Sequence, residues 1–222
     1  MIEANRRLHC VVLGEVPFEE GLAEMRALAD ARARGDGEDT LLLMRHPEVL
    51  TVGRRRGARD NILNFEIPVV EVDRGGDVTW HGPGQLVGYP VLRLTEAERD
   101  VHAVLRRLEG GLIAALEELG LAAMRNPPHT GVWARGLDGL KKVCSIGLGI
   151  RAWVAMHGFG LNVDCDLARF ATIRPCGLES EVMGSLASLG VASPWDGLEA
   201  RVHRHLANAF GRVIEDGQTG GS

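Results

Sequence analysis

Residues 74–89 read RGGDVTWHGPGQLVGY, and the class of fold turns on how the chain continues past these glycines. Gly75 and Gly76 permit a sharp backbone turn and close approach to a ligand. Thr79, Trp80 and His81 then alternate along an extended segment, so Thr79 and His81 share one face and Trp80 takes the other. Gly82-Pro83-Gly84 begins like a phosphate-binding GxGxxG turn. The next glycine is Gly88, one place too far, and a strand comes next where that motif requires a helix N-terminus. A GxxxxGK[ST] loop is also missing from the sequence. Hairpin turns would account for the glycines. They account poorly for Arg74, Asp77, Thr79, His81 and Gln85 gathered between apolar strands.

Outward from this stretch, residues 8–13, 40–44, 49–52, 69–72, 86–92, 143–150 and 159–163 read as strands. They are short, rich in Val, Leu and Ile, and punctuated by Gly or Pro. Three segments show helical periodicity. One aligns Phe18, Leu22, Met25 and Leu28. The second aligns Val101, Val104, Leu105, Leu108, Leu112, Leu116 and Leu119, and stops at Gly120. The third aligns Leu198, Val202, Leu206, Ala209 and Val213, with Ser193 as expected N-cap, Pro194 at N1 and Asp196 in the first turn. The order lacks the βαβα alternation of a doubly wound sheet. The expected class is α/β (α+β): a mixed, largely antiparallel sheet with packed helices. Residues 1–216 are expected to form one catalytic domain, and the glycine-rich tail 217–222 to be disordered.

Composition narrows the function. Hydrophobic residues at 45% and charged residues at 25% are ordinary for a globular chain that buries its own core. A net charge of −5 argues against a nucleic-acid partner, which calls for a basic excess. No segment approaches the roughly 20 apolar residues that cross a bilayer, and the first residues lack the apolar run of a signal peptide. The cytoplasm is the expected compartment. The four cysteines, Cys10, Cys144, Cys165 and Cys176, include no CxxC pair and are expected to be free thiols. His203 and His205, two apart on a helix, diverge too far to share a metal. Arg54, Arg55, Arg56 and Arg59 form a local basic run, readable as a solvated turn or as a docking patch for an acidic protein.

Two further stretches carry chemistry. Residues 141–149 read KKVCSIGLG. Strict alternation there would send Val143, Ser145 and Gly147 one way and Lys142, Cys144 and Ile146 the other. Residues 157–178 read HGFGLNVDCDLARFATIRPCGL. Cys176 sits between Pro175 and Gly177, in a turn and not in a strand or helix. There a thiol is better presented for attack than in a core, where cysteine behaves as a small hydrophobe.

These stretches, in this order, resemble the lipoyl(octanoyl) transferase family, also called lipoate–protein ligase B. The resemblance rests on Arg74-Gly75-Gly76, Thr79, His81-Gly82-Pro83-Gly84-Gln85, Lys142, Ser145-Ile146-Gly147, His157-Gly158-Phe159, Leu161-Asn162 and Pro175-Cys176-Gly177. His46-Pro47 and Val52-Gly53-Arg54 fit as well, so it covers about positions 40–190. Asp77, Trp80, Gly160 and Gly184 depart from the commoner Gln, Tyr, Ala and Thr. The resemblance implies the fold of biotin and lipoate protein ligases. It also implies transfer of octanoyl from acyl carrier protein to a lysine of lipoyl domains in 2-oxoacid dehydrogenase complexes and of the glycine cleavage H protein.

By the same resemblance Cys176 and Lys142 are catalytic and no cofactor is needed. Arg74, Gly75, Gly76, Asp77, Val78, Thr79, Trp80, His81, Ser145, Ile146, Gly147, Gly158, Phe159 and Gly160 bind substrate. Neither nucleic acid nor membrane is an expected partner. Rival readings are an ATP-dependent lipoate or biotin ligase of the same fold, a Cys–His hydrolase using Cys176 and His157, and a non-catalytic acyl-binding module. Burying an octanoyl tail is worth at most about 5 kcal/mol.

Overall fold

The structure, a computed structural model, describes residues 6–174 and 180–214. Among the described residues ten strands and three α-helices run β1 (Leu8–Glu15), α1 (Phe18–Arg34), β2 (Asp39–Arg45), β3 (Val49–Val52), β4 (Val69–Glu71), β5 (Val78–His81), β6 (Gln85–Arg93), α2 (Val101–Glu118), β7 (Ala123–Asn126), β8 (His129–Gly136), β9 (Gly139–Arg151), β10 (Val154–Asn162) and α3 (Leu198–Ala209). Seven strands make one sheet in the order β1-β2-β6-β10-β9-β8-β7, and β4-β3-β5 make a second. In the large sheet only the β1–β2 pair is parallel. The expected mixed, mostly antiparallel architecture is the one found.

Period-2 alternation divides the core between the two faces. Leu41 and Leu43 of β2 pack toward α2 and α3 with Leu108, Leu112, Val202 and Leu206. Leu42 and Met44 pack with Phe18, Leu22 and Met25 of α1. The central strands β2 and β6 are covered on both faces, which is why their sequences are nearly continuous apolar runs. A third cluster, with Leu50, Trp80, Phe170 and Ile173, fills the space beside the small sheet.

Helix ends follow local rules for α1 and α2. Glu19 and Glu20 open α1, Arg32 and Arg34 close it, and Gly35 caps it in the left-handed region. Asp100 caps α2 by accepting from the His102 and Ala103 amides. The third helix starts later than expected. Ser193 is not its cap: Asp196 N–H donates to Ser193 O in a preceding turn, and Gly197, at φ 59, precedes the first helical residue Leu198. Val213 lies beyond this helix and bridges Arg7 in parallel. β7 and β8 had no sequence expectation. The tail 217–222 lies outside the described residues.

Candidate active site

Two glycines and an arginine shape one wall. Gly76, at φ 89, turns the chain between β4 and β5. Arg74, nearly buried, then stitches the loop down by donating to the carbonyls of Gly75 (3.0 Å), Asp77 (2.8 Å) and Thr51 (3.0 Å) and to Thr51 Oγ1 (2.9 Å). The buried Asp77 carboxylate accepts from the Val78 amide, Asn61 Nδ2 and Arg55 Nη1. Asp77 therefore holds the loop's shape from behind.

β9 supplies the opposite wall through a bulge. Val132 of β8 faces Cys144, yet the next residue, Trp133, faces Lys142, so Val143 has no counterpart. The bulge overturns strict alternation. Val143 and Cys144 both enter the core, while Lys142 and Ser145 both line the cavity. Lys142 is buried (7% exposed). Its neighbour Lys141 instead reaches Asp138 (2.8 Å) and the Glu181 carbonyl (2.7 Å).

The third wall is β10, where His157 takes φ 58 inside a strand. Pro90 of β6 has no N–H to give, and β6–β10 pairing stops at Ala155–Leu92 and resumes at Phe159–Gly88. His157 Nε2 meets Asp73 at 2.7 Å. Behind the cavity a buried relay runs from His81 Nδ1 to Gln85 Oε1 (2.9 Å), from Gln85 Nε2 to Asn162 Oδ1 (2.9 Å), and from Asn162 Nδ2 to the Gly184 carbonyl (2.9 Å).

These walls border one pocket that is partly open to solvent. Of the residues expected at the site, Arg74, Gly76, Asp77, Val78, Thr79, His81, Lys142, Ser145, Ile146, Gly147, Gly158, Phe159 and Gly160 line it. Gly75 lines a second cavity, which shares Gly76, Lys142, Ile146 and Gly147 with the first and extends to Leu105 and Pro128. Trp80 faces the other way, as alternation along β5 dictates, stacking edge-on with Phe170 at 5.3 Å. Cys176 lies outside the described residues. Phe18, Thr51, Val72, Tyr89 and His157 also line the cavity; Tyr89 and His157 fall within the stretches the sequence singles out, and the other three are brought by contacts distant in sequence.

The two histidines of the walls are held toward their neutral forms. Burial, aided by His46 and Arg74, lowers His81 to about 3, so it is uncharged at neutral pH. Burial also lowers His157, although its bond to Asp73 works the other way. Burial pushes the Cys144 thiol far up, Cys165 to about 12 and Cys10 to about 11. None of these three is a thiolate at neutral pH. Among the described residues no group of three His, Cys, Asp or Glu side chains could hold a metal ion. No helix there is long and apolar enough to cross a membrane.

Known proteins resemble the chain in sequence and in fold. The family described as "Lipoyl protein ligase A/B catalytic domain" matches residues 17–207. An octanoyltransferase of Geobacter metallireducens is 50% identical over 92% of each chain. Two solved structures share the fold at low identity. A bipartite lipoate protein ligase from Thermoplasma acidophilum superposes with a TM-score of 0.70 at 16% identity, covering 96% of this chain and 86% of that one. The biotin protein ligase of Aquifex aeolicus superposes at 0.51 with 14% identity, covering 93% and 69%. The chain belongs to the lipoyl protein ligase A/B catalytic-domain family. Its relatives at this level of identity are octanoyltransferases, and it is accordingly an acyltransferase.

Proposed function

We propose that the chain takes octanoyl from the thioester of an acyl carrier protein, holds it on Cys176, and passes it to a lysine of a lipoyl domain. The observation that carries this reading is the buried Lys142 in the wall of an apolar cavity that Ile146, Phe159 and Val78 help to line. Burial raises the thiols of Cys10, Cys144 and Cys165 and argues against each as the nucleophile, while Cys176 is assigned from its Pro175-Cys176-Gly177 turn and the family resemblance. The acceptors are lipoyl domains of 2-oxoacid dehydrogenase complexes and the H protein, in the cytoplasm.

In the first half-reaction the Cys176 thiolate attacks the thioester carbonyl carbon. The bond to the carrier sulfur breaks, and that sulfur takes a proton from the Lys142 ammonium. In the second, the neutral amine of the acceptor lysine attacks the enzyme thioester. Its surplus proton passes to Lys142, and Cys176 leaves as thiolate. The oxyanion needs donors in each step, for which the candidates are backbone amides near Gly76–Asp77, Ser145–Gly147 and Gly158–Gly160. The donor is already activated, so neither ATP nor metal takes part.

Intact-mass measurement of the full chain mixed with octanoyl carrier protein tests this. One octanoyl group should appear, map to Cys176, and move to a lipoyl domain without ATP. Cys176→Ala should neither gain nor transfer it. An adduct on Cys144, transfer in the absence of Cys176, or a requirement for ATP would each refute the mechanism.

A further inference from the structure

We infer that Gly131 and Glu109 form the seat that positions Lys142 for proton transfer, a role that rests on the acid–base reading of Lys142 above. Gly131 lies on β8 two residues before Trp133, and its φ of 126 is one that side-chain-bearing residues rarely adopt. A Cβ at this position would stand 2.7 Å from Lys142 Cε and 2.4 Å from the Cys144 carbonyl oxygen. The lysine stem therefore passes directly over the missing side chain. Farther along, Lys142 Nζ lies 5.8 Å from the centroid of the Trp133 ring.

The Gly131 peptide is itself held. Its N–H donates at 3.0 Å to Oε1 of Glu109, a buried carboxylate on the helix that also buries Val104, Leu108, Leu112 and Leu116. The other oxygen, Oε2, accepts from Arg125 Nε at 3.0 Å. An acidic side chain among those core residues is costly unless both oxygens are used. Here one is fixed by an arginine and the other grips a single backbone amide under the lysine. Glu109 acts through Gly131, and Gly131 acts through Lys142.

Because each acts through the next, their effects should not multiply. With the full chain and a small octanoyl thioester as donor, Gly131→Ala should lower kcat by about 10–100-fold, the loss expected from displacing a catalytic group by roughly an ångström. KM should change little. The pH dependence of Cys176 alkylation should move to that of Lys142→Ala. The double variant Glu109→Ala/Lys142→Ala, which adds no atom against the Cys144 carbonyl, should be no slower than Lys142→Ala alone. Glu109→Ala should show a weaker form of the same defect, and Glu109→Gln, which keeps an acceptor for the Gly131 amide, should recover most of it. If Gly131→Ala does not fold, the Glu109 pair and its double variants with Lys142→Ala carry the same test. Losses that multiply on top of Lys142→Ala, or an unchanged kcat and alkylation profile, would overturn the seat. Full activity in Lys142→Ala itself would instead overturn the acid–base reading.

Discussion

Lys141 and Lys142 are adjacent in sequence and opposite in situation. Lys141 is held outside by Asp138 and the Glu181 carbonyl, while Lys142 lies in the cavity wall. Lys142→Ala is expected to slow both half-reactions by about 10²–10⁴, the usual worth of a placed acid–base group, and to raise the pH at which Cys176 alkylates. Lys141→Ala should leave both unchanged. Rates of iodoacetamide labelling against pH in the two variants decide the matter, and the reverse pattern would reject the assignment. Much of this was legible at the residue scale, since chemical type and spacing singled out the polar residues of 74–85. What spacing could not show was direction. Cys144 was expected beside Lys142, and one unpaired residue, Val143, turns it into the core instead. Glu109 left a fainter signal: a lone carboxylate beside Leu108 on the core-facing surface of a helix.

At the scale of elements, the loop bearing the arginine run divides its labour. Arg55 supports buried Asp77, and Arg59 pairs with Glu71, whereas Arg54 and Arg56 are exposed beside the loop that lines the cavity. Reversing Arg54 and Arg56 together to Glu should weaken use of octanoyl carrier protein at low salt and spare a small octanoyl thioester. Equal loss with both donors would point to a structural role and remove the docking idea. Long periodic elements were readable: α1, α2, β2, β3 and β6 fall close to where the pattern put them. β7 and β8 were not. Arg125, Asn126, Pro127 and Pro128 interrupt the short apolar run that would have marked them. The start of α3 misled because Ser193 and Pro194 look like a cap while Gly197 resets the chain.

At the scale of the molecule, Asp39 ties distant parts together. Its buried carboxylate accepts from Arg6, Arg32 and Arg212 and from the Arg93 amide, joining α1, β6 and the chain after α3. Arg212→Met removes a buried cation and should cost about 3 kcal/mol in urea unfolding. A loss under about 1 kcal/mol, the worth of an exposed pair, would show that Arg6 and Arg32 suffice. Acid should act in the same direction across the fold. His81 falls from 6.5 to about 3, so between those values the unfolded chain binds a proton that the folded chain refuses. Stability is then full above pH 6.5 and declines as pH falls, by about 2 kcal/mol at pH 5 from this residue. Glu98, which burial would raise but Arg212 brings down to about 2, extends the decline below 4.5. Urea midpoints at pH 7.5 and 5.0 measure the slope, and equal midpoints would contradict it.

The strand order also bears on how the molecule is made. On a ribosome, β10 emerges after every other strand of the described residues, yet its place is in the interior, between β6 and β9. Until it arrives, β2 and β6 can pair on one side and β7, β8 and β9 on the other, each leaving an open hydrogen-bonding edge. The nascent chain is thus two half-sheets awaiting a keystone, and Phe159 must find Gly88 across the whole of α2, β7, β8 and β9. Such long-range closure is slow and leaves the halves exposed to wrong partners. A chain that stops before Val154 should be an aggregating fragment and not a weakened enzyme, because the strand that completes the sheet also walls the cavity.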